Sequence, residues 1–414
     1  MATRRSHKKS RKGCITCKQK HLKCDEGRPE CGNCLDRGNT CTYLWERKAA
    51  SSSSRESSQQ PPVTQSQVIL SSPDTSLSPL NLPPAYNIGI LKLLHHYSTN
   101  VYESMSTITS HQKVWQTSVV QIGMEHDFLL RGILSMSALH VALTGCENPQ
   151  TLLAEAAFHQ NRALVQYRQL LSAEHNPPEI QRAMFLFASF LSMCSFGLAR
   201  LEGKLLEPDK GGRGIEDFLV CVNMVRGMTN LFALWQKNIL SDDLDPIRKG
   251  GVPTDLYPDI DGDLDAELRA LSELEALCKA EQSPKISSAC QNAVAHLSYG
   301  FKGLHDIAAE RGSESPIFVV LVWPSVVSKD FLRLLAQRNR LAVLLLAYYG
   351  AMMHRLDSFW YFQGWGRHLV ETSACILGDA YADALTWPKV AVGLCDVNDW
   401  HSYVEISELS PEHY

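Results

Sequence analysis

Six cysteines in one short polar segment constrain this chain more than any other feature. Their spacing is C-x2-C-x6-C-x6-C-x2-C-x6-C, so the half C-x2-C-x6-C occurs twice. They are Cys14, Cys17, Cys24, Cys31, Cys34 and Cys41. A segment of this length cannot bury a useful apolar core, so its folding free energy must come from another source, and metal binding can supply it.

The spacing favours a binuclear zinc site. Tetrahedral zinc takes four ligands, and thiolate sulfur is a preferred one. Two ions need eight coordination positions, which six thiolates fill only if two of them bridge. The repeat suggests that the equivalent members Cys14 and Cys31 are the bridges. The alternatives are a disulfide framework, which is typical of secreted domains, and a chance cluster of buried thiols. Nothing in the sequence resembles a secretory signal, and chance clustering does not explain an internal repeat.

The segment resembles the binuclear zinc cluster (C6 type) of fungal transcription regulators of the galactose-regulator type. The resemblance rests on the six cysteines, on the basic run between Cys17 and Cys24, and on Pro29 shortly before Cys31. In that family the first and fourth cysteines bridge the metals. The resemblance implies a DNA-binding domain over residues 14–45, two zinc ions per chain, and double-stranded DNA with CGG-type half-sites as the partner.

The basic run carries Lys18, Lys20, His21 and Lys23. We expect its six residues to form about one and two-thirds turns of helix. Such a helix presents cations to phosphates or to guanine acceptors in the major groove, unless it is merely a solvated basic face. The resemblance places Lys20 and His21 at the base-contacting positions. Most members carry two strong cations there, so His21 departs from the pattern.

A cationic N-terminal end contrasts with an anionic remainder. The net charge is −4, yet residues 1–48 hold thirteen Lys and Arg against five Asp and Glu. This asymmetry favours polyanion binding at one end of the chain. Residues 1–13 form a basic arm that includes Arg11 and Lys12. Such an arm acts as a nuclear-import signal or contacts the DNA backbone, or it is a tail with neither role. We expect a nuclear location.

Residues 46–87 are rich in Ser, Gln and Pro and predict a disordered linker. Many regulators of this type carry a dimerising coiled coil directly after the cluster. No apolar residues at heptad spacing occur in this tract. A homodimer, if one forms, must therefore use the C-terminal domain, and binding of a monomer to one half-site remains an alternative.

Residues 88–414 predict an all-α regulatory domain. Apolar residues recur at helical spacing, whereas strand-like alternation is absent. The candidate helices cover 88–105, from 128 onward, 151–172, 178–201, 215–240, 265–280, 285–311, 329–356 and 365–382. LLHHYSTNVYESM, HDFLLRGILSMSALHVAL and LAYYGAMMHRLDSFWYFQGWGRHL are similar to the regulatory domain of sterol uptake control regulators and their filamentous-fungal relatives. That resemblance implies a module with an apolar pocket for a small ligand, although most such relatives are pathway-specific regulators without a known ligand.

The helical domain shows no catalytic motif, and we predict no enzymatic role and no catalytic residues. We expect the paired histidines His95 and His96 to be structural. The aromatic run from Trp360 to Trp365 belongs either to the core or to the lining of a pocket. Residues 242–275 are acidic and form either an activation segment or an ordinary surface helix. The longest apolar runs, 341–353 and 316–327, fall short of a membrane span, so no membrane partner is expected.

The sequence therefore predicts a zinc-dependent, sequence-specific transcription factor of RNA polymerase II genes, most simply the regulator of one pathway such as a secondary-metabolite gene cluster. The alternatives are a sterol-responsive regulator of sterol genes and, more remotely, a zinc-dependent protein-interaction module. A helical catalyst with a zinc appendage is the rival from the enzyme class.

Overall fold

The computed structural model divides the chain into two compact units, Met1–Pro83 and Pro84–Tyr414. It describes residues 13–20, 22–27, 31–37, 41, 87–145, 148–201, 213–240, 244, 262–310 and 315–395. Residues 1–12 of the predicted basic arm, with Arg11 and Lys12, lie outside the described residues, as do His21 and residues 46–86 of the predicted linker.

The N-terminal unit is built on two short helices, α1 (Ile15–Gln19) and α2 (Gly32–Leu35). Its buried core consists of cysteines rather than large apolar side chains. The buried members are Cys14, Cys17, Cys24, Cys31 and Cys34, with Leu22 and Cys41 partly buried beside them. As the length of the segment requires, apolar burial contributes little here.

Helix α1 begins and ends closer to the N-terminus than the helix that the sequence predicted for the basic run. The sequence predicted a helix over all six residues between Cys17 and Cys24, but α1 ends at Gln19 and Lys20 is its C-cap. The Leu22 amide donates to the Cys17 carbonyl oxygen (2.9 Å), a bond that closes the C-terminal turn. A longer helix would carry Cys24 away from Cys14, whose amide donates to the Cys24 sulfur. The helical prediction was therefore wrong in its boundaries.

The C-terminal unit is a helical bundle, and no β-strand occurs among the described residues of either unit. The predicted all-α class is confirmed. Its α-helices are α3 (Ile88–Thr99), α4 (Thr109–Gln116), α5 (Ser118–Glu125), α6 (Asp127–Thr144), α7 (Pro149–Leu171), α8 (Pro178–Leu201), α9 (Arg213–Ile239), α10 (Leu264–Ala280), α11 (Pro284–Glu310), α12 (Pro316–Val326), α13 (Lys329–Ala336), α14 (Arg340–His354), α15 (Trp365–Leu377) and α16 (Thr386–Ala391). Short 3-10 helices cover Val101–Met105, Gly378–Tyr381 and Asp383–Leu385.

Polar side chains fix the starts of several helices. Asn87, Asn148, Asp263 and Ser328 each accept a hydrogen bond from a backbone amide in the first turn of the helix that follows. Such caps satisfy amides that have no partner within the helix. The local sequence therefore determines where α3, α7, α10 and α13 begin.

The periodicity analysis missed or merged several helices. It did not predict α4, α5 or α12 as helices, and it merged α13 and α14 into one helix over residues 329–356. The break between them lies at Arg338, which has a positive φ of 56°, and at Asn339, whose side chain accepts from the amides of Leu341 (3.1 Å) and Ala342 (3.3 Å). Asn339 therefore starts a new helix instead of continuing the first.

Helix α14 is the centre of the C-terminal unit. All thirteen residues from Leu341 to Met353 are buried, as expected for a helix that is apolar all round. Helix α15 packs closely against it because two glycines face each other. A Cβ on Gly366 would lie 2.6 Å from the Gly350 carbonyl oxygen and 2.5 Å from the His354 backbone. Residues 341–353, which the sequence analysis judged too short to span a membrane, thus form the core of this bundle.

The aromatic run after α14 packs in the core of the helical unit. Trp360, Tyr361 and Trp365 are at most 8% exposed. Their polar atoms are satisfied: Trp360 Nε1 donates to Ser104 Oγ (2.9 Å), and the Tyr361 hydroxyl donates to the Ser104 carbonyl oxygen (2.9 Å). Trp365 Nε1 donates to the carbonyl oxygen of Phe196 (3.0 Å). The two bonds to Ser104 connect the 3-10 helix Val101–Met105 with the segment between α14 and α15, and the bond to Phe196 connects α15 with α8.

Three helices are long and apolar enough to cross a membrane by length and composition. They are Asp127–Thr144, Pro178–Leu201 and Arg213–Ile239, and the buried shares of their most apolar windows are 61%, 67% and 33%. The sequence analysis considered only shorter runs. In this structure the three helices pack in the order α6, α8, α9 within the bundle.

A buried ion pair joins α10 to the end of α14. The carboxylate of Glu267 is 4% exposed and contacts the guanidinium of Arg355, which is 16% exposed. Burial raises the pKa of Glu267, while Arg355 opposes that rise. The second half of the acidic segment is therefore a packed amphipathic helix, whose apolar residues Ala270, Leu271 and Leu274 are buried.

Removal of Arg355 should destabilise the C-terminal unit. We expect Arg355→Ala to lower the free energy of unfolding by about 3–5 kcal/mol, because a buried carboxylate loses its partner. The loss should shrink as the pH falls, since protonation of Glu267 removes the unpaired charge. Urea unfolding of the full chain measures it.

The matched control is Arg333→Ala. Arg333 pairs with Asp330 at 2.6 Å, but both side chains are more than 70% exposed. Such a surface pair contributes at most about 1 kcal/mol. Equal losses for the two variants would contradict a special role of the buried pair.

Candidate metal centre and nucleic-acid interface

The two halves of the cysteine repeat adopt the same local structure. Cys14 is the N-cap of α1 with φ −61° and ψ 158°, and Cys31 is the N-cap of α2 with φ −75° and ψ 146°. Cys17 and Cys34 follow three residues later, each buried within its short helix. The sequence repeat is therefore also a structural repeat, with the first cysteine of each half at a helix start.

Backbone hydrogen bonds repeat as well. The Cys14 amide donates to the sulfur of Cys24 (3.4 Å), and the Cys31 amide donates to the sulfur of Cys41 (3.3 Å). In each half the third cysteine is thus brought back to the first. This return explains why the x6 interval has the same length in both halves, because the chain must leave the helix and turn around.

The sulfurs form two groups that share two members. Cys14, Cys17, Cys24 and Cys31 make up one group, and Cys14, Cys31, Cys34 and Cys41 make up the other. Within each group the sulfurs all lie within 4.8 Å of one another. Two groups of four drawn from six residues must share two members, and here the shared members are Cys14 and Cys31.

The sulfur separations fit tetrahedral zinc. At a zinc–sulfur distance of about 2.3 Å, two thiolates on one ion lie about 3.8 Å apart. The measured separations are 3.7 Å for Cys14–Cys31, 3.7 Å for Cys14–Cys34 and 3.6 Å for Cys17–Cys31. The sulfurs of Cys17 and Cys34, which belong to different groups, are 3.9 Å apart. The donor set and its spacing therefore fit two zinc ions.

Burial controls the ionisation of these thiols in the absence of metal. It raises the pKa of Cys17 and of Cys34 to about 12 and also raises the pKa of Cys31. Burial acts in the same direction on Cys14, but hydrogen bonds from the Cys17 amide and from neighbouring thiols lower its pKa to about 6. Zinc must therefore displace protons from Cys17, Cys31 and Cys34 when it binds.

An aspartate holds the loop between the two halves, and the sequence analysis missed it. The carboxylate of Asp25 accepts from the Gly32 amide at 2.9 Å and 3.2 Å through its two oxygens. A Cβ at position 32 would lie 2.8 Å from this carboxylate. Glycine directly after Cys31 was the available signal, since it allows the close approach of an acidic side chain to the start of α2.

The described lysines of the basic run surround the cysteine cluster on its outside. Lys18 lies in the last turn of α1, Lys20 is the C-cap, and Lys23 follows one residue before Cys24. All three are exposed, whereas the five cysteines beside them are at most 3% exposed. Of the other predicted DNA contacts, His21, Arg11 and Lys12 lie outside the described residues. The cluster thus presents a cationic rim to solvent.

The helical unit holds a polar cleft of about 430 Å³ between the ends of α5 and α8. Its lining includes Glu125, His126, Glu179 and Arg182. A sterol requires mostly apolar walls with few polar groups, so this cleft does not fit one. The aromatic run, which the sequence analysis considered for a pocket, does not line this cleft.

His96 of the predicted histidine pair packs against another histidine, whereas His95 is exposed. His96 Nε2 lies 2.9 Å from His140 Nδ1, and burial lowers the pKa of His140 to about 4. Burial also lowers the pKa of His96, so both of these rings are neutral near pH 7. The helical unit has buried thiols at Cys194, Cys221, Cys278 and Cys290, whereas Cys375 and Cys395 are exposed. Cys146 lies outside the described residues.

Comparison with protein families identifies the N-terminal segment. Residues 12–51 match the fungal Zn(2)-Cys(6) binuclear cluster domain. The N-terminal segment is such a binuclear cluster domain. Residues 92–209 match the fungal specific transcription factor domain. The chain is therefore a DNA-binding transcription regulator, and its cluster domain binds two zinc ions, as the cysteine count predicted.

Three curated relatives are similar over different parts of the chain. A Zn(2)-C6 fungal-type transcription factor of Gibberella zeae is 25% identical over 95% of this chain and 87% of its own length. The Zn(2)-C6 fungal-type transcription factor afumD of Aspergillus fumigatus is 30% identical over 34% of each chain. Sterol uptake control protein 2 of Candida albicans is 56% identical, but over 10% of this chain and 6% of its own.

The relative of sterol uptake type supports the predicted resemblance in one region. Its 43 matched residues lie in the N-terminal region and not in the helical unit. The resemblance of residues 88–414 to sterol uptake control regulators, which the sequence analysis drew from loose helical patterns, therefore receives no support from this match.

Proposed function

We propose that the cationic rim of the cluster domain reads DNA in the major groove. The observation that carries this proposal is the exposure of Lys18, Lys20 and Lys23 directly beside a buried cysteine cluster. Lys20 with its neighbour His21 contacts base edges, and Lys18 and Lys23 contact phosphates. Arg11 and Lys12 extend the phosphate contacts from the basic arm. Guanine O6 and N7 are the acceptors that suit a lysine, which agrees with a CGG-type half-site.

The same proposal assigns a role to each cysteine. Cys14 and Cys31 would serve both ions, Cys17 and Cys24 would complete one site, and Cys34 and Cys41 would complete the other. The membership of Cys14 and Cys31 in both sulfur groups supports this assignment. Bound zinc would join α1 and α2 through Cys17 and Cys34 and would so hold the lysines of the rim in place.

Substitution of single cysteines should separate bridging from terminal ligands. We expect Cys17→Ser to retain about one zinc ion per chain, because the group of Cys14, Cys31, Cys34 and Cys41 stays complete. Cys14→Ser leaves neither group with four thiolates, so its zinc content should fall well below one ion. Elemental analysis of the purified full chain measures both.

The control is Cys375→Ser, an exposed cysteine of the helical unit, which should keep two zinc ions. Equal zinc contents for Cys14→Ser and Cys17→Ser would contradict the bridging assignment and leave the zinc-binding domain itself intact.

Loss of the Lys20 side chain should weaken specific binding more than general binding. We expect Lys20→Ala to reduce affinity for the preferred duplex by about 1–3 kcal/mol, or roughly 5- to 150-fold, and affinity for a random duplex much less. Fluorescence anisotropy with both duplexes at one fixed salt concentration measures the ratio.

Lys329→Ala is the matched control, since Lys329 is an exposed helical lysine of the other unit. It should leave both affinities unchanged. An equal loss on the two duplexes for Lys20→Ala would mean that Lys20 touches phosphate alone, and the base-contacting role would be rejected.

At the cellular level the proposed function is that of a nuclear, pathway-specific regulator of RNA polymerase II genes. The two regulator domains and the similarity to fungal-type transcription factors over most of the chain support it. That the chain has no catalytic role and no membrane partner remains a prediction. Genome-wide mapping of bound sites tests the proposal: clustering at the genes of one pathway is expected, and binding scattered over unrelated genes would contradict it.

A sterol-responsive regulator is the second candidate function. The 56% identity to sterol uptake control protein 2 favours it, although that identity concerns the N-terminal region. A sterol that binds the folded helical unit raises its melting temperature in proportion to occupancy. Thermal unfolding of the full chain with and without a solubilised sterol is the test, and an unchanged melting temperature would remove this candidate.

A further inference from the structure

Helix α9 exposes an apolar stripe that the bundle does not cover. Along its 27 residues, Val220, Met224, Gly227, Leu231 and Leu234 follow one another at intervals of four, three, four and three. This is the spacing of the seam in a coiled coil. Val220 is 54% exposed, Met224 40% and Leu234 74%, while Leu231 lies at the buried edge of the stripe.

The opposite face of α9 already supplies the packing that the fold requires. Phe218, Cys221, Val222 and Val225 are at most 1% exposed, and the helix contacts α8, α12, α13 and α15. Around Gly227, in contrast, an added Cβ would meet no heavy atom within 4 Å. The exposed stripe is therefore an additional surface, with open space at its centre.

The stripe is complementary to itself when one copy is reversed. In a twofold antiparallel pair of α9 helices centred near Gly227, Val220 of one copy lies opposite Leu234 of the other, since each is seven residues from the centre. Met224 and Leu231, which lie on either side of Gly227 within about one turn, come together in the same way. The two Gly227 residues meet at the crossing, where the lack of side chains lets the helices approach closely.

A polar row beside the stripe shows the same symmetry. Glu216, Asn223, Asn230 and Lys237 follow at seven-residue intervals, and all four are exposed. In the antiparallel pair Glu216 of one copy faces Lys237 of the other, and Asn223 faces Asn230. In a parallel pair the row would face the opposite flank of the other helix's stripe, so Glu216 would not meet Lys237.

We propose that this face of α9 is a homodimerisation surface that takes α9 of a second copy of the chain in antiparallel orientation. Charge complementarity along the polar row selects a second copy as the occupant, because the row matches its own reverse. The contact is isologous, as a twofold dimer requires. The proposed dimer does not depend on the DNA-binding function. Its contact lies in the helical unit and not in residues 46–87, where many regulators of this type have a coiled coil.

Sedimentation equilibrium of the zinc-loaded full chain without DNA tests the surface. We expect a reversible dimer for the wild type. Val220→Glu places a charge against Leu234 of the other copy and should raise the dimer dissociation constant at least about tenfold. The matched control is Val165→Glu on α7, where the valine is 60% exposed, and it should leave the dissociation constant unchanged.

A charge exchange tests the orientation. Lys237→Glu should weaken the dimer, because it sets a second carboxylate against Glu216 of the other copy, and addition of Glu216→Lys should restore the wild-type dissociation constant. Glu216 also lies 3.6 Å from Arg338 of its own chain, so thermal unfolding of each variant verifies the fold. A wild type that is monomeric at all accessible concentrations, or a dimer that Val220→Glu leaves intact, overturns the proposal. A dimer without rescue by the double exchange overturns the antiparallel arrangement.

Discussion

Coordination of metal by thiolates is the interaction on which the N-terminal unit depends. Its interior consists of cysteines, with Leu22 as the neighbouring apolar side chain among the described residues. Apolar burial on this scale cannot offset the entropy of ordering the chain. Two zinc ions can, because structural zinc contributes on the order of 10–16 kcal/mol per site. The positions of α1, α2 and the exposed lysines all follow from this coordination.

The helical unit depends on a different interaction, the burial of apolar surface. Helix α14 is enclosed on all sides, α15 approaches it through Gly350 and Gly366, and the aromatic segment from Trp360 to Trp365 closes the core with its polar atoms paired. A chelator should therefore unfold the first unit and spare the second. The chain thus separates a metal-dependent reader of DNA from a metal-independent body, which suits a regulator whose two parts have different tasks.

The site was more predictable than the fold around it, for a physical reason. Six thiolates and two tetrahedral ions require two shared ligands, and the repeat suggests Cys14 and Cys31, which are the two cysteines that belong to both sulfur groups. The boundaries of α1 were wrong because the return of Cys24 to Cys14 is a tertiary constraint that helix periodicity does not contain. The helix predicted over residues 329–356 is two helices, because the side chain of Asn339 caps the start of α14. The stripe on α9 escaped notice because apolar residues occur on both faces of this helix, and a sequence does not tell which face is covered.

A zinc titration of the metal-free full chain tests the central claim most directly. Binding to the preferred duplex would be followed by fluorescence anisotropy as zinc is added under reducing conditions. The account predicts no preference for that duplex without metal and full specific binding when two zinc ions per chain are present. Metal-free protein that binds the same duplex with the same preference would contradict it.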